Sequence, residues 1–390
     1  MIFSIPLAWL QLIRQRVRFL VTLAGIAFIV ILLFMQIGFQ NALYASATFL
    51  HQNLRGDLFI ISSQYKSLTS KQPFPRSRLY QVLGIHGVQS VSPLYLEFAK
   101  FKNPETGRNS PIYILGFDPA SPVFNLPEVE QHLDVLKFPN RVLFDRASRP
   151  EFGPIAEAFA RGESVEVEIF PSNARNGYSV EVGGLFSLGP SFGVDGNLIV
   201  NYLTILQIFL DRQSDEIDLG LITLQPGTNP QEVIAELSAY LSNDVRVMTR
   251  QSFIEFEKEY WTARTPIGFV FSSMVIMGFV VGIVVVYQIL YSNISNHLAE
   301  YATLKAIGFK NNYLFSVVFQ QALLLAILGY IPGFIISFLL YDLAKAVTHL
   351  PVMMSANKAL VILMATVAMC WISGIFSMNK LQSTDPADIF

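Results

Sequence analysis

The chain has 390 residues, of which 52% are hydrophobic and 14% are charged, and its formal net charge is −2. A soluble domain carries about 25% charged residues, so this composition excludes an ordinary soluble protein. The small net charge gives no reason to expect nucleic-acid binding. Within residues 19–308, every charge except Glu300 and Lys305 lies between positions 51 and 265, a stretch with 19 basic and 25 acidic residues. The chain therefore combines membrane helices with one water-soluble insert.

Four long apolar blocks are candidates for membrane spans, because a helix needs about 20 apolar residues to cross the hydrocarbon core. A helix also satisfies its own backbone hydrogen bonds, as lipid requires. The predicted spans are residues 19–44, 266–291, 313–341 and 358–379. A cleaved signal peptide is the alternative for the first block, since Ala45-Ser46-Ala47 resembles a cleavage site. The block is longer than the usual apolar core of a signal peptide, which favours a span.

The basic residues Arg14, Arg16 and Arg18 predict a cytoplasmic N-terminus. The insert, residues 45–265, is then outside, the loop 292–312 is cytoplasmic, the loop 342–357 is outside and the tail 380–390 is cytoplasmic. Residues 1–18 fit an amphipathic helix on the inner membrane surface, although an extension of the first span fits equally. The predicted location is the inner (plasma) membrane.

Two pairs of glycines at a spacing of four residues are candidates for helix packing, because small residues let helices approach closely. They are Gly278 with Gly282 in the second span and Gly329 with Gly333 in the third. Glycine is common in membrane helices, so chance spacing is the alternative. Pro332 is expected to kink the third span.

The insert has a strand–helix–strand pattern near each of its ends, and two such units can pair into one sheet with helices on one face. The first comprises 57–62, 75–83 and 88–94, and the second comprises 219–224, 230–241 and 244–249. They predict a membrane-proximal α/β lobe from residues 45–117 and 212–250. Residues 118–211, rich in glycine and proline, predict a second, mostly β lobe. Residues 250–265 predict an aromatic helix that runs straight into the second span as a stalk.

No catalytic, metal or cofactor site is predicted. The five histidines are isolated from one another and from the single cysteine, Cys370, and no phosphate-binding loop is present. Asp215, Glu216 and Asp218 are interpreted as a solvated loop, with a cation site as the alternative. Asp342 is the only acid near a span, so ion coupling is not indicated. The chain is therefore not expected to be an enzyme, and the energy for any work it does would come from a partner.

The loop between the second and third spans carries the most specific pattern. Leu298, Tyr301, Leu304 and Ile307 follow helical spacing, and Gly308 fits a C-terminal cap. The run from Glu300 to Gly308 resembles the Glu-Ile-Gly-x-Leu-[Arg/Lys]-Ala-[Leu/Ile]-Gly motif of FtsX-like ABC permeases, the group that includes MacB. Further similarities are at residues 23–26, 319–329 and 385–387, with Gln321 in place of the usual Glu.

This resemblance covers the four spans and is closest to the cyanobacterial DevC type. It implies that the loop docks on an ATPase subunit, with the following coupling residues: Glu300, Tyr301, Leu304, Lys305, Ile307 and Gly308. It also implies a homodimer, a DevA-like ABC ATPase that binds the ATP, a DevB-like membrane-fusion protein, a TolC-like outer-membrane channel and export of a glycolipid or other envelope component by mechanotransmission. The insert would be a MacB-like periplasmic core domain. The alternatives are an FtsX-like signalling protein that activates a periplasmic enzyme, and a lipoprotein-extracting permease.

Overall fold

The computed structural model describes residues 5–14, 16–172, 174, 176–191, 193–348 and 350–382. The chain forms two compact units. One contains α1, most of α2 and α9 to α12, and is called the helical unit below; the other comprises residues 43–265 together with Leu350 and Pro351 and is called the insert domain. The helices are α1 (Ile5–Arg14), α2 (Arg16–Asn53), α3 (Arg76–Gln81), α4 (Pro127–Gln131), α5 (Ile155–Ala160), α6 (Tyr202–Ile208), α7 (Pro230–Tyr240), α8 (Arg250–Glu259), α9 (Pro266–Asn296), α10 (Leu298–Ala306), α11 (Asn311–Thr348) and α12 (Ala356–Gln382).

Four helices of the described residues are long and apolar enough to cross a membrane, and they coincide with the predicted spans. They are Arg16–Asn53, Pro266–Asn296, Asn311–Thr348 and Ala356–Met378. The first begins three residues before the predicted span and ends nine residues after it. The preceding segment forms a separate helix, α1, which contacts α11. The helical assignment of α11 continues through Pro332. The predicted Asp385-Pro386-Ala387 ending lies outside the described residues.

The insert domain is built on one mixed sheet. Its strands are β1 (Leu58–Ser62), β2 (Phe74–Pro75), β3 (Val88–Lys102), β4 (Asn109–Phe117), β5 (Arg141–Asp145), β6 (Glu166–Pro171), β7 (Tyr178–Phe186), β8 (Asn197–Asn201), β9 (Glu216–Ile217), β10 (Leu219–Leu224) and β11 (Val245–Thr249). Nine of them follow the order β11-β1-β10-β3-β4-β8-β5-β7-β6, and β3 also pairs with β6. β2 and β9 form a separate pair.

The long strand β3 joins the two predicted lobes. Its first half pairs with β10, from Val88 to Leu94, and its second half pairs with β6, from Ala99 to Lys102. The strands from the two ends of the insert, β1, β10 and β11, therefore lie side by side, as the sequence predicts. The mostly β part closes into a ring of six strands, β3-β4-β8-β5-β7-β6, so both lobes share one sheet.

Helices cover both faces of this sheet, which corrects the expectation of helices on one face. All five residues of β1 are buried, and successive side chains of a strand point to opposite faces. Leu58 packs with Leu79 of α3 and Leu237 of α7 on one face. Phe59 packs on the other face in a cluster that includes Phe253 of α8 and Leu50 of α2. A strand that is apolar at every position needs cover on both sides, and the last turns of α2 supply part of it.

The prediction of a stalk that runs straight into the second span is wrong, because the helix that follows the sheet is interrupted before that span. Residues 250–264 are helical, with a π-helical turn at Tyr260–Arg264, but Thr265 is extended, with φ −115° and ψ 153°. Proline disfavours the helical conformation in the residue before it, and Pro266 follows Thr265. The aromatic side chains Phe253 and Trp261 are buried in the insert domain instead of lining an exposed rod.

Candidate functional site

The short helix α10 lies between two spans and ends in a defined cap. Gly308 has a φ of +102°, which a side chain would disfavour. Its N–H donates to the carbonyl of Lys305 at 3.1 Å, and the N–H of Phe309 donates to the carbonyl of Leu304 at 3.1 Å. These two bonds form a Schellman motif, which confirms the predicted role of Gly308 as a helix cap.

The inner face of α10 packs into the helical unit. Tyr301 is only 1% exposed and lies in a cluster with Ile294 of α9, Val317 of α11 and Met378 of α12. Leu304 packs partly against the same cluster. Tyr301 and Leu304 are thus placed to hold α10 rigidly on three spans, and the buried Tyr301 is not positioned for direct contact with a partner.

Gln321 lies beneath this inner face, where its Nε2 donates to Tyr301 Oη at 3.5 Å, and its side chain is 1% exposed. Burial raises the pKa of Tyr301, so the phenol is neutral near pH 7. A neutral amide fits this buried position without the desolvation cost of a carboxylate. The departure from the usual Glu therefore concerns packing below α10, away from its exposed surface.

The outer face of α10, a surface that includes the cap and the residues after it from Ile307 to Lys310, is exposed and carries apolar side chains. Ile307 is 71% exposed and Phe309 is 42% exposed. Lys310 beside them is exposed, and Lys305 is half-buried. The residues predicted to couple to an ATPase are thus divided: Ile307 and Gly308 form the outer face, Tyr301 and Leu304 the inner face. A large exposed apolar side chain flanked by basic residues is typical of a protein contact surface.

Glu300 connects α10 to its surroundings. Its Oε1 lies 3.2 Å from Arg14 Nη1 of α1, and its Oε2 lies 3.2 Å from His297 Nδ1. The carboxylate is 41% exposed, so these ion pairs orient α10 more than they stabilise it.

The four glycines of the spans lie at close contacts with α2. A Cβ at Gly278 would be 2.5 Å from Gln36 Oε1, and one at Gly329 would be 2.6 Å from Ile26 Cγ2. Gly282 faces Ile29 of α2 and Met369 of α12, and Gly333 faces Val30 of α2. Movement of α9 or α11 would therefore displace α2, because side chains of α2 pack directly on the backbone of these glycines.

The insert domain contains a buried polar cluster that sequence reasoning missed, centred on Glu257 of α8. Its carboxylate accepts hydrogen bonds from Tyr65 Oη at 3.1 Å, from Trp261 Nε1 at 3.0 Å and from the Leu68 N–H at 3.2 Å. His51 Nε2 of α2 lies 3.5 Å away. Burial and the nearby Glu257 raise the pKa of Tyr65 well above its usual value, so the phenol remains a donor. Apart from Trp261, which is four residues along the chain, these partners are distant in the sequence, and no local pattern could have indicated them.

A second buried cluster corrects the interpretation of the acidic loop. Asp218 is 0% exposed, and its carboxylate lies 2.9 Å from Lys71 Nζ and 2.7 Å from Arg212 Nη2. It also accepts the N–H of Leu96 at 2.8 Å. Asp215, by contrast, is exposed as predicted. Asp218 is buried because two cations and a backbone donor compensate its charge. In the part of the chain that the structure describes, no group of three or more His, Cys, Asp or Glu residues could hold a metal ion.

Comparisons with known proteins agree with this architecture. The sequence profile described as "MacB-like periplasmic core domain" matches residues 19–240, and that described as "FtsX-like permease C-terminal" matches residues 272–386. A comparison with curated proteins found no match.

Similar solved structures include the periplasmic region of MacB from Actinobacillus actinomycetemcomitans, at 13% identity over 51% of this chain and 91% of that one, with a TM-score of 0.35. The extracellular domain of the noncanonic ABC-type transporter YknZ from Gram-positive bacteria is 13% identical over 50% of this chain and 99% of that one, with a TM-score of 0.32. A domain of a permease protein from Porphyromonas gingivalis has 14% identity over 50% and 89%, with a TM-score of 0.31. Since the periplasmic-domain profile alone covers more than half of the chain, the protein belongs to the MacB/FtsX-type family of ABC transporter permeases, with a MacB-like periplasmic domain.

Proposed function

We propose that this chain is the permease subunit of an ATP-driven export complex, and that the outer face of α10 binds a separately encoded ABC ATPase. The observation that carries the proposal is the division of α10 into two faces. Its inner face is fixed on three spans by Tyr301, whereas its outer face exposes Ile307 beside Lys305 and Lys310. The basic residues that precede the first span place α10 and both termini in the cytoplasm, and the insert domain in the periplasm.

The packing supports coupling by mechanotransmission. A force on Ile307 is passed to α9 and α11 through the Tyr301 cluster, because packed side chains transmit displacement. Both helices meet α2 at glycine contacts, so α2 follows. The chain enters the insert domain through α2 and leaves it at Thr265, and these two connections carry the movement outward. ATP hydrolysis by the partner would then change the conformation of the insert domain, and no substrate would pass between the spans.

The finer assignments rest on the motif and the family. A pair of permease chains would match the pair of ATPase subunits. A membrane-fusion protein and a TolC-like channel would receive the exported molecule, proposed to be a glycolipid or other envelope component, as in the DevC type. The insert domain exposes apolar side chains such as Leu210, which is 85% exposed and could contact the membrane-fusion protein.

Co-purification tests the ATPase contact. The full chain, co-expressed with an ABC ATPase subunit from the same organism, is expected to retain the ATPase and stimulate its hydrolysis. Ile307→Asp should abolish both, because it places a charge in the contact, while Ser295→Asp on exposed surface near the end of α9 serves as the charge control. Full binding by Ile307→Asp would contradict the assignment.

The export role is tested by the periplasmic partner. Cross-linking in intact cells, followed by purification of the full chain, is expected to recover a membrane-fusion protein. Recovery of a cell-wall hydrolase instead would replace export by transmembrane signalling, and recovery of a lipoprotein would indicate lipoprotein extraction.

A further inference from the structure

A cavity of about 390 Å³ opens in the helical unit between the first turns of α2 and the last turns of α9, with contributions from α1 and α11. It is separate from the outer face of α10 and is not used by the coupling described above. The lining residues of α2 and α9 form a polar end, with Arg18, Gln288, Ser292 and Asn293, and a mostly apolar floor that also contains Thr22.

The polar end offers several hydrogen-bond donors. Arg18 is exposed, and its Nη2 donates to Ser292 Oγ at 3.1 Å, which holds the guanidinium at the mouth of the cavity. Gln288 and Asn293 contribute carboxamides one and a half turns apart on α9. Within the described ranges, neither carboxamide forms a hydrogen bond to another described side chain or to the backbone. A guanidinium with neighbouring amides is suited to a phosphate group.

Apart from Thr22, the floor of the cavity is apolar. It is formed by Phe19, Val21 and Gly25 of α2 and by Val285 and Ile289 of α9. The missing side chain at Gly25 brings α2 close to Ile289, whose Cδ1 would be 3.4 Å from a Cβ there.

The position of Arg18 relates the cavity to the bilayer. It is the last charged residue before the apolar block that begins at Phe19, so it lies at the boundary between water and hydrocarbon. The hydrogen bond from Arg18 to Ser292 places the last turns of α9 at the same level as Arg18. An amphiphile with an anionic head and an apolar tail matches both ends.

We propose that this cavity is a binding site for one anionic phospholipid of the bilayer. Its phosphate pairs with the Arg18 guanidinium and accepts hydrogen bonds from Gln288 and Asn293. One acyl chain lies against Phe19, Gly25 and Ile289. The lipid fills the groove between the first two spans and links them at the cytoplasmic side.

Native mass spectrometry of the delipidated full chain, titrated with phosphatidylglycerol, tests the site. One phosphatidylglycerol per chain is expected to bind more tightly than phosphatidylcholine. Arg18→Gln should weaken phosphatidylglycerol binding about tenfold, or about 1.4 kcal/mol, because it removes the charge that pairs with the phosphate. Arg16→Gln, which removes an exposed charge outside the cavity lining, should leave the affinity unchanged.

Two further measurements keep the result decisive. Asn293→Ala should also weaken binding, which guards against misfolding of a single variant, and equal melting temperatures of the variants without lipid exclude a loss of fold. sn-Glycerol 3-phosphate should not displace the lipid. Equal affinity for both lipids, equal loss in Arg18→Gln and Arg16→Gln, or displacement by glycerol phosphate would overturn the proposal.

Discussion

The two units of this protein differ in the polar groups that they bury. In the described part of the spans, helices meet through glycines and through neutral hydrogen bonds such as Tyr341 Oη to the Phe34 carbonyl at 2.5 Å and Ser373 Oγ to the Ile283 carbonyl at 2.8 Å. The insert domain instead buries the carboxylates Glu257 and Asp218 among donors and cations. Lipid offers no compensation for a charge, whereas a folded domain can supply partners from distant segments.

Different interactions therefore stabilise the two units. In the helical unit, backbone proximity fixes the helices, so the unit is sensitive to added atoms. In the insert domain, carboxylates connect loops to strands and helices, so that unit is sensitive to the loss of a charge or an acceptor. The predictions below test this difference.

The largest effect on stability is expected for Asp218→Asn. Arg212 and Lys71 share two carboxylates, Asp218 and Glu97, and the change removes the fully buried one. Breaking a buried ion pair costs about 3–5 kcal/mol. Denaturant unfolding of the insert domain, followed by tryptophan fluorescence of the full chain, measures the loss. Asp215→Asn in the same acidic stretch is the matched control and should change the unfolding free energy by less than about 0.5 kcal/mol. Equal effects at both positions would restore the solvated-loop interpretation.

Glu257→Gln should be next in size. The carboxamide keeps the shape but presents an NH₂ group to the donors of Tyr65, Trp261 or Leu68, and an unsatisfied buried donor costs about 1–3 kcal/mol. The same fluorescence titration measures it. Glu259→Gln, two residues along α8 and in an exposed pair with Arg264, should cost less than about 1 kcal/mol. An unchanged unfolding free energy for Glu257→Gln would show that the Glu257 cluster does not stabilise the insert domain.

Gly333→Ala tests the helical unit by adding an atom at a close helix contact, whereas the preceding changes remove a charge or an acceptor. A Cβ at this position would lie 2.8 Å from Val30 Cβ and 3.0 Å from the Ala27 carbonyl oxygen, so helices α2 and α11 must separate. Overpacking of this kind costs about 1–3 kcal/mol. Unfolding of the full chain in detergent measures the change. Gly374→Ala, where a Cβ would be 3.8 Å from Ala322 Cβ, should be neutral or slightly stabilising. Equal effects would show that the glycine contacts do not set the packing.

The smallest effect on stability, and the largest on coupling, is expected for exposed residues of α10. Phe309→Ser should leave the melting temperature of the chain unchanged within the error of the measurement, because Phe309 is 42% exposed, while it lowers ATPase stimulation. Leu304→Ala should lower both, since it removes packing below α10. If Phe309→Ser left stimulation intact, the outer face would be smaller than proposed.

Much of this fold could be predicted from the sequence, because its signals are local. Charge-free blocks predicted the four spans, and the strand–helix–strand pattern predicted strands such as β10 at Leu219–Leu224. The Schellman cap at Gly308 also follows from a local pattern. The helices on the second face of the sheet were not predicted, because the cover by α2 depends on a distant segment. Thr265 was misjudged, although Pro266 was a visible signal of a break.

The candidate site was predicted only in part. The motif located α10, but helical spacing alone placed Tyr301 and Ile307 on one stripe. The structure separates them, because α10 ends at Ala306 and Ile307 falls in the cap. Glu257 and Asp218 could not be identified, since their partners His51, Tyr65 and Lys71 are more than 140 residues away in the sequence.

Site-directed photo-cross-linking tests the central claim most directly. A photo-reactive amino acid at Ile307, in the full chain co-expressed with its ATPase, is expected to cross-link to that ATPase. The same group at Val347, which is 71% exposed at the other end of α11, should not. Cross-linking at Val347 but not at Ile307, or at neither position while the ATPase still co-purifies, would contradict the assignment of α10 as the coupling helix.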